Sequence, residues 1–408
     1  MNTITPLTST QGAVSINSKN ANRRAFLGTN GVDKVEKIGN TNPNEKPVKM
    51  LLSLLRSSLS GEEIQQEAFK GANYHDWTTM LTIAHRSSTT GIAYDSLKKL
   101  PKGTVPTGIS LKMAEYIREI EDKYARQEAV LTDLSKQYGE KGIETIALKG
   151  LGSSLNYPVP QHRHGRDIDI FTRFKNTVTE DRSNSTELVD DMMIEKGIQV
   201  EDYRVPKAKH SEFLYNDLVV ENHKYFVNKE AMPEAKKIDA ILHKVLNPVE
   251  KTLPSGTKIL TPSKEFNTVF LAQHAFQHYA FGGIDLHNLV DWSMHIKQNG
   301  ICFPEELKGT KVEEFANALT NVSNKYLGTN VEAPKNEAYE KRLFEKILHP
   351  DPVRPPENLS NYEIIMFKTK RFLNRFNETK ELTGRSLSNA IIHSVKAHLR
   401  KPGTILGI

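Results

Sequence analysis

Asp167-Ile168-Asp169 sets two carboxylates two residues apart in a run of β-formers, Ile168-Asp169-Ile170-Phe171. In extended backbone residues i and i+2 project to one side, so both acids would face one spot while Ile168 enters the core. Two carboxylates that close repel each other unless a cation sits between them. Mg²⁺, hard and usually shared between carboxylates and substrate phosphates, is the natural choice. The alternative is a solvated pair on a strand surface. Upstream, Leu148-Lys149-Gly150-Leu151-Gly152-Ser153-Ser154 reads as a strand end, a glycine-rich turn and a helix start. Small residues there let backbone N–H groups approach a phosphate, and a helix N-terminus adds partial positive charge. Lys149 would either bind a triphosphate or shield the carboxylates. Downstream, Val219-Val220-Glu221-Asn222-His223 offers a third acid, with His223 on the same face; by itself Glu221 would be a strand-edge charge. Two aspartates on one strand and an acid from another are what phosphoryl transfer with two metal ions requires. One Mg²⁺ (or Mn²⁺) would activate an attacking hydroxyl, and the other would neutralise the triphosphate and the departing pyrophosphate.

Other residues are open to two readings. Arg163 is a phosphate clamp through its planar fork or a loop charge. His274 and His278 are four apart on a helical stretch and share a face. Ala275 stands where a zincin needs its catalytic Glu, so helix packing or contact with nucleotide or acceptor is the choice left for the pair. Asp291 lies four residues after His287, a spacing that suits a salt bridge, and Trp77 and Trp292 are expected in the core.

The elements that would position these groups change texture twice. Residues 1–46 are rich in Asn, Thr, Ser and Gly and have no period, as expected of a disordered segment. Arg23-Arg24 is not followed by an apolar stretch, so a twin-arginine signal is not expected; the segment's composition also fits the unfolded secretion signal of an injected effector. From Val48 to Leu100 apolar residues recur three and four apart, the mark of helices with one buried face. A further helix is expected over residues 110–138. At Ile143 the pattern becomes strand (143–148), strand (168–171), helix (186–196, capped by Asn184 or Ser185), then strands 198–200, 212–215 and 218–226, with Asn216-Asp217 as a hairpin turn. From Thr261 onward it is helical again, broken at Gly282-Gly283. The fold class expected is α+β: a helical region over 47–140, a small mixed-sheet core over 141–250, a helical region over 251–330 closing the cleft, and a basic helical region over 331–408.

The chain has 408 residues, 38% hydrophobic and 25% charged, with a formal net charge of +6. Its single cysteine, Cys302, excludes an intramolecular disulfide or a cysteine zinc cage. No apolar run approaches the ~20 residues that span a bilayer, so a cytoplasmic protein is expected, with an effector exported without a cleaved signal as the alternative. Between Lys335 and Ile408, 14 Lys/Arg face 8 Asp/Glu, which equals the whole surplus. Lys368, Lys370, Arg371 and Arg375 are the candidate patch for RNA, against a solvated helical face.

The ordered pattern resembles the DNA polymerase β-like nucleotidyltransferase superfamily, in which a hydrophobic residue, Gly, then Gly or Ser precedes Asp-x-Asp. Leu151-Gly152-Ser153 suits it, with Leu148-Lys149-Gly150 a competing alignment. The chain is more closely similar to a bacterial group of uncharacterised nucleotidyltransferases, through Leu148-Lys149-Gly150, Tyr157-Pro158, Arg163, Asp167-Ile168-Asp169 and Glu221-Asn222-His223. The helical landmarks His274, His278, Gly282-Gly283-Ile284 and Asp291-Trp292 match as well. That group usually has Arg where this chain has His287. The resemblance, over residues 48–300, implies a Mg²⁺-dependent transfer of a nucleoside monophosphate from an NTP, ATP being the expected donor. The acceptor would be a hydroxyl on an RNA end, a protein or a small molecule. Asp167, Asp169 and Glu221 would hold metal and catalyse. Lys149, Gly150, Gly152, Ser153, Arg163 and His223 would bind nucleotide, and His274, His278, His287 and Asp291 are candidate contacts to acceptor or phosphate. A degenerate member acting as a binding or scaffold protein is the non-enzymatic alternative.

Overall fold

The computed structural model describes residues 45–175, 183–230, 232–351, 355, 359–384 and 386. The expectations for residues 1–44 lie outside these.

Four helices come first: α1 (Lys46–Ser60), α2 (Tyr74–Arg86), α3 (Thr90–Leu97) and α4 (Thr107–Gly139). Their ends follow local chemistry. Pro47 opens the first turn of α1, and Gly61 closes it in the left-handed region. Asn73 and Asp76 form a reciprocal capping box on α2.

The α/β core follows: β1 (Ile143–Ala147), a one-turn helix α5 (Leu151–Ser154), β2 (Ile168–Phe174), α6 (Ser183–Glu195), β3 (Val200–Glu201), β4 (His210–Tyr215) and β5 (Leu218–His223). After α7 (Ala235–Lys244) comes a second hairpin, β6 (Val249–Thr252) and β7 (Lys258–Thr261). All seven strands share one sheet in the order β3-β4-β5-β2-β1-β7-β6. β2 runs antiparallel to β1 and parallel to β5. The β4–β5 turn is made by Asn216 and Asp217, both at positive φ, as a two-residue hairpin requires.

Three details differ from the expectation. Helix α6 starts at Ser183, so Ser185 lies inside it, where its hydroxyl donates to the Thr172 carbonyl instead of capping. The helix after Gly150 is a single turn. The segment 251–261, expected to belong to the helical region, holds most of the β6–β7 hairpin, which forms the far edge of the sheet. It escaped notice because an exposed edge strand such as Val249-Glu250-Lys251-Thr252 carries no alternating apolar pattern.

One face of the sheet packs Ile168, Ile170 and Val220 against Tyr124, Leu131, Leu134 and Tyr138 of α4 and Val189 and Met193 of α6. The other face, represented by Ile146 and Phe171, belongs to the large helical core. That core includes α8 (Lys264–Phe281), α9 (Leu286–Asn299), α10 (Lys311–Leu327) and α11 (Glu337–Leu348). Ser263 caps α8, and Asp285 with Asn288 caps α9. Trp77 and Trp292 are fully buried in this core.

The last described helix, α12 (Asn361–Thr383), docks on the C-terminal end of α8. Arg371 donates to the Phe281 carbonyl, Arg375 to those of Tyr279 and Ala280, and Thr379 to that of Ala280. Carbonyls at a helix end have no intrahelical partner, and cationic side chains satisfy them well. Arg375 is buried and paired with Asp351 and Glu378. Half of the sequence-predicted basic patch is therefore consumed in holding the fold together. No helix among the described residues is long and apolar enough to cross a membrane.

Candidate active site

Asp169 lies on β2 and Asp167 just before it, so strand alternation turns both toward the helical side, with Ile168 in the opposite core. In the parallel pairing of β2 with β5, Asp169 is directly beside Glu221 and Phe171 beside His223. Across β5, His210 of β4 sits opposite His223. The sheet thus collects Asp167, Asp169, Glu221, His223 and His210 on one face. One carboxylate oxygen from each of the three acids lies within 4.8 Å of the others.

Lys149 follows β1 and reaches Asp169, Nζ to Oδ1 at 3.1 Å. His223 Nε2 is 3.0 Å from the same oxygen and 3.3 Å from Glu221 Oε2. Both Asp169 Oδ2 and Glu221 Oε2 are buried; among the described residues Asp169 Oδ2 has no hydrogen-bond partner, and Glu221 Oε2 has only its ion-pair contacts with His223 and His210. A buried, unsatisfied carboxylate oxygen costs on the order of 1–3 kcal/mol or more. The three carboxylates gathered within 4.8 Å, with Asp169 Oδ2 buried and unpaired among the described residues, fit a divalent cation.

The turn between Lys149 and α5 is shaped by backbone constraint. Gly150 has φ +69° and ψ −116°, a conformation side chains disfavour, and a Cβ there would lie 3.3 Å from the Asp167 carbonyl oxygen. Gly152 packs so closely on β1 that a Cβ would come within 2.7 Å of the Ala147 carbonyl oxygen. The glycines thus bring the turn against the acids. Ser153 is buried in α5.

Arg163 is one of the residues the fold places differently from a phosphate clamp. It is buried, and its guanidinium is bidentate to Asp291 of α9, Nε to Oδ1 and Nη2 to Oδ2, each at 2.8 Å. Nη1 donates to the Gly150 carbonyl at 3.1 Å, and Nη2 lies 3.3 Å from His287 Nε2. Tyr157 completes the set by donating to Asp291 Oδ1. Asp291 is 3.5 Å from His287, at the expected i,i+4 spacing, but its principal partner is Arg163. This network ties α9 to the glycine turn. His223 is also fully buried, touching the acids instead of standing open to a nucleotide.

His274 and His278 meet on α8 with their Nε2 atoms 3.1 Å apart. Burial and the positive charge of Lys149 lower both imidazoles, His278 to about 4, so the pair is neutral at pH 7. Burial likewise lowers His287 and His210 to about 4, although Asp291 and Glu221 respectively oppose it. Burial would raise Asp169, but Lys149 and His223 outweigh it and hold the carboxyl below its usual range. Burial and the neighbouring Asp169 charge raise Asp167. Burial acts to lower Lys149, and Asp169, Asp167 and Glu221 overcome it, so the ammonium is held charged above its ordinary value.

Lys209 was not singled out from the sequence. Burial lowers it first, followed by repulsion from Lys149, against attraction from Glu221, Asp169 and Asp167. It precedes β4 immediately, and its position next to His210 was the available signal once β4 is known to pair with β5.

Residues 73–326 match the model of a family described as uncharacterised nucleotidyltransferases, and the chain belongs to that family. It is also similar to a solved antigenic nucleotidyltransferase-like protein from Paracoccidioides brasiliensis. That likeness has 13% identity and a TM-score of 0.33, over 51% of this chain and 94% of the other. No protein of curated function matches significantly.

Proposed function

We propose that this member transfers a nucleoside monophosphate from an NTP, ATP foremost, to a hydroxyl acceptor. The observation that carries this is the register of Asp169 beside Glu221, with Asp167 two residues before and an unpartnered buried Asp169 Oδ2. Asp167, Asp169 and Glu221 would hold Mg²⁺, which when bound supplies positive charge at the phosphates and eases ionisation of the attacking hydroxyl. In the reaction the acceptor oxygen bonds to the α-phosphorus as the α–β bridging bond breaks. Pyrophosphate leaves, and the hydroxyl proton passes to the carboxylate cluster. Lys149 keeps Asp169 ionised and offers a fixed ammonium to the triphosphate; Lys209 faces the same charges from the position just before β4. Gly150, Gly152 and Ser153 let the backbone come close to the phosphates. Arg163 acts through Gly150, as a positioning residue, and His223 orients Asp169 and Glu221. The neutral His274 and His278 pair, with His287, lines the helical side, where an acceptor hydroxyl would enter. We assign the nucleotidyl-transfer unit to the sheet through Thr261 and the cleft-closing unit to α8–α10.

The test is to incubate the protein with α-³²P-labelled NTPs, Mg²⁺ and cell lysate. Label on RNA, protein or a small molecule identifies the acceptor class. Absence of label from every fraction, together with no Mg²⁺-dependent NTP binding, would leave a binding module in place of an enzyme.

A further inference from the structure

The acid cluster is not purely an oxygen site. His210, Glu221 and His223 form a second group whose donor atoms all lie within 4.8 Å of one another, with Glu221 common to both groups. The sheet builds it: His210 and His223 are directly opposed on β4 and β5, and Glu221 lies two residues before His223 on the same face.

Two distances decide how this group is read. Glu221 Oε2 is 3.2 Å from His210 Nδ1 and 3.3 Å from His223 Nε2. Beyond these contacts neither buried atom, Glu221 Oε2 or His210 Nδ1, has a hydrogen-bond partner among the described residues. Donors each about 2.1 Å from one cation, at tetrahedral or octahedral angles, are separated by about 3.0–3.5 Å. Both Glu221 distances fall in that range, and the His210 and His223 donors lie within 4.8 Å of each other. The other ring nitrogen of His223, Nδ1, lies 3.3 Å from the Tyr225 carbonyl. With a cation bound, a proton on Nδ1 would donate there and leave the Nε2 lone pair for the ion, whereas without one Nε2 donates to Asp169. Metal-bound histidines are oriented by this kind of backbone contact.

We propose that His210, Glu221 and His223 form a mixed nitrogen–oxygen cation site that takes Mn²⁺ in preference to Mg²⁺, adjoining the all-oxygen group of Asp167, Asp169 and Glu221. Imidazole is a transition-ion ligand and Mg²⁺ keeps to oxygen and water, whereas Mn²⁺ takes the carboxylate oxygens that Mg²⁺ takes and, as a transition ion, can add the imidazole nitrogens. The two sites are unequal, so one of the cations serving the active site would be a transition ion. This rests on the metal reading of the acid cluster but not on nucleotidyl transfer itself.

The test uses the full chain without nucleotide. Mn²⁺ and Mg²⁺ affinities are measured by calorimetry, and electron spin echo modulation of bound Mn²⁺ reports directly coordinated ¹⁴N. The expected result is Mn²⁺ binding at least about tenfold tighter than Mg²⁺, with ¹⁴N coupling from imidazole. His210→Ala should lower Mn²⁺ affinity by about tenfold or more while leaving that for Mg²⁺ within about threefold. Should that variant fail to fold, the ¹⁴N signal of the wild type decides the matter alone. Mn²⁺ bound without ¹⁴N coupling, or equal losses for both ions in His210→Ala, would overturn the mixed site and leave the carboxylate site standing. In that event His223 would be a hydrogen-bond donor to Asp169. Failure of the wild type to bind either ion would overturn both readings.

Discussion

Replacing Asp291 by Ala tests how the helical half supports the site. The carboxylate accepts from Arg163 Nε and Nη2 and from Tyr157, and both charged partners are buried. Removing it strands a guanidinium that is 4% exposed, and breaking one partner of such a pair costs about 3–5 kcal/mol. Against a total of about 5–15 kcal/mol for an ordinary domain, that is a large share. Urea denaturation followed by circular dichroism reads it as a lowered midpoint at unchanged slope. The double variant Arg163→Met/Asp291→Leu removes both charges, so it should recover most of the loss, because an apolar pair of similar volume is often no less stable. Loss of the network also frees the Gly150 carbonyl from Arg163, so Asp291→Ala should weaken Mg²⁺ binding although Asp291 lies 70 residues in sequence from Glu221, the nearest carboxylate ligand. A destabilisation below about 1 kcal/mol, or a double variant as unstable as the single, would refute this account.

Gly150→Ala should destabilise the protein by about 1–3 kcal/mol and weaken cation binding, since the turn needs positive φ and sits against the Asp167 carbonyl; calorimetric titration with Mg²⁺ checks it. His295 is buried beside the Thr268 hydroxyl, and burial lowers it to about 4. A lowered histidine is protonated more readily in the unfolded chain, so stability falls as pH drops from about 6.5 toward 4, by about 3 kcal/mol at most. His295→Gln should flatten that part of the stability–pH curve; an unchanged slope would count against it. Arg375→Ala should loosen α12 from α8, seen as faster hydrogen exchange in residues 361–383 with little change in the sheet.

The site was legible to different depths. Asp167 and Asp169 announce themselves because strand alternation is local, and Glu221 because its neighbours are β-formers. Their register against one another is not local: β2 and β5 are about 50 residues apart, and nothing in either strand's composition specifies which residue faces which. For the same reason Lys209 and His210 passed unnoticed, as their importance comes from pairing with His223. Arg163 looked like a phosphate ligand because its type and spacing are suitable. Only the fold shows α9 delivering Asp291 to neutralise it. The Pro254-Ser255-Gly256 turn was the missed signal for the β6–β7 hairpin, whose charged edge hid its strands. In the C-terminal region, charge counts alone could not distinguish arginines facing solvent from those capping α8.

The proposed divalent-cation-dependent nucleotidyl transfer at Asp167, Asp169 and Glu221 is measured most directly as pyrophosphate release from ATP and the other NTPs, with Mg²⁺ or Mn²⁺ and the acceptor fraction that takes up label. The prediction is release in step with labelling, abolished by chelation and reduced about 10³-fold or more, roughly 4 kcal/mol, in Asp169→Asn. Release that persists undiminished in that folded variant, or labelling indifferent to chelation, would contradict it.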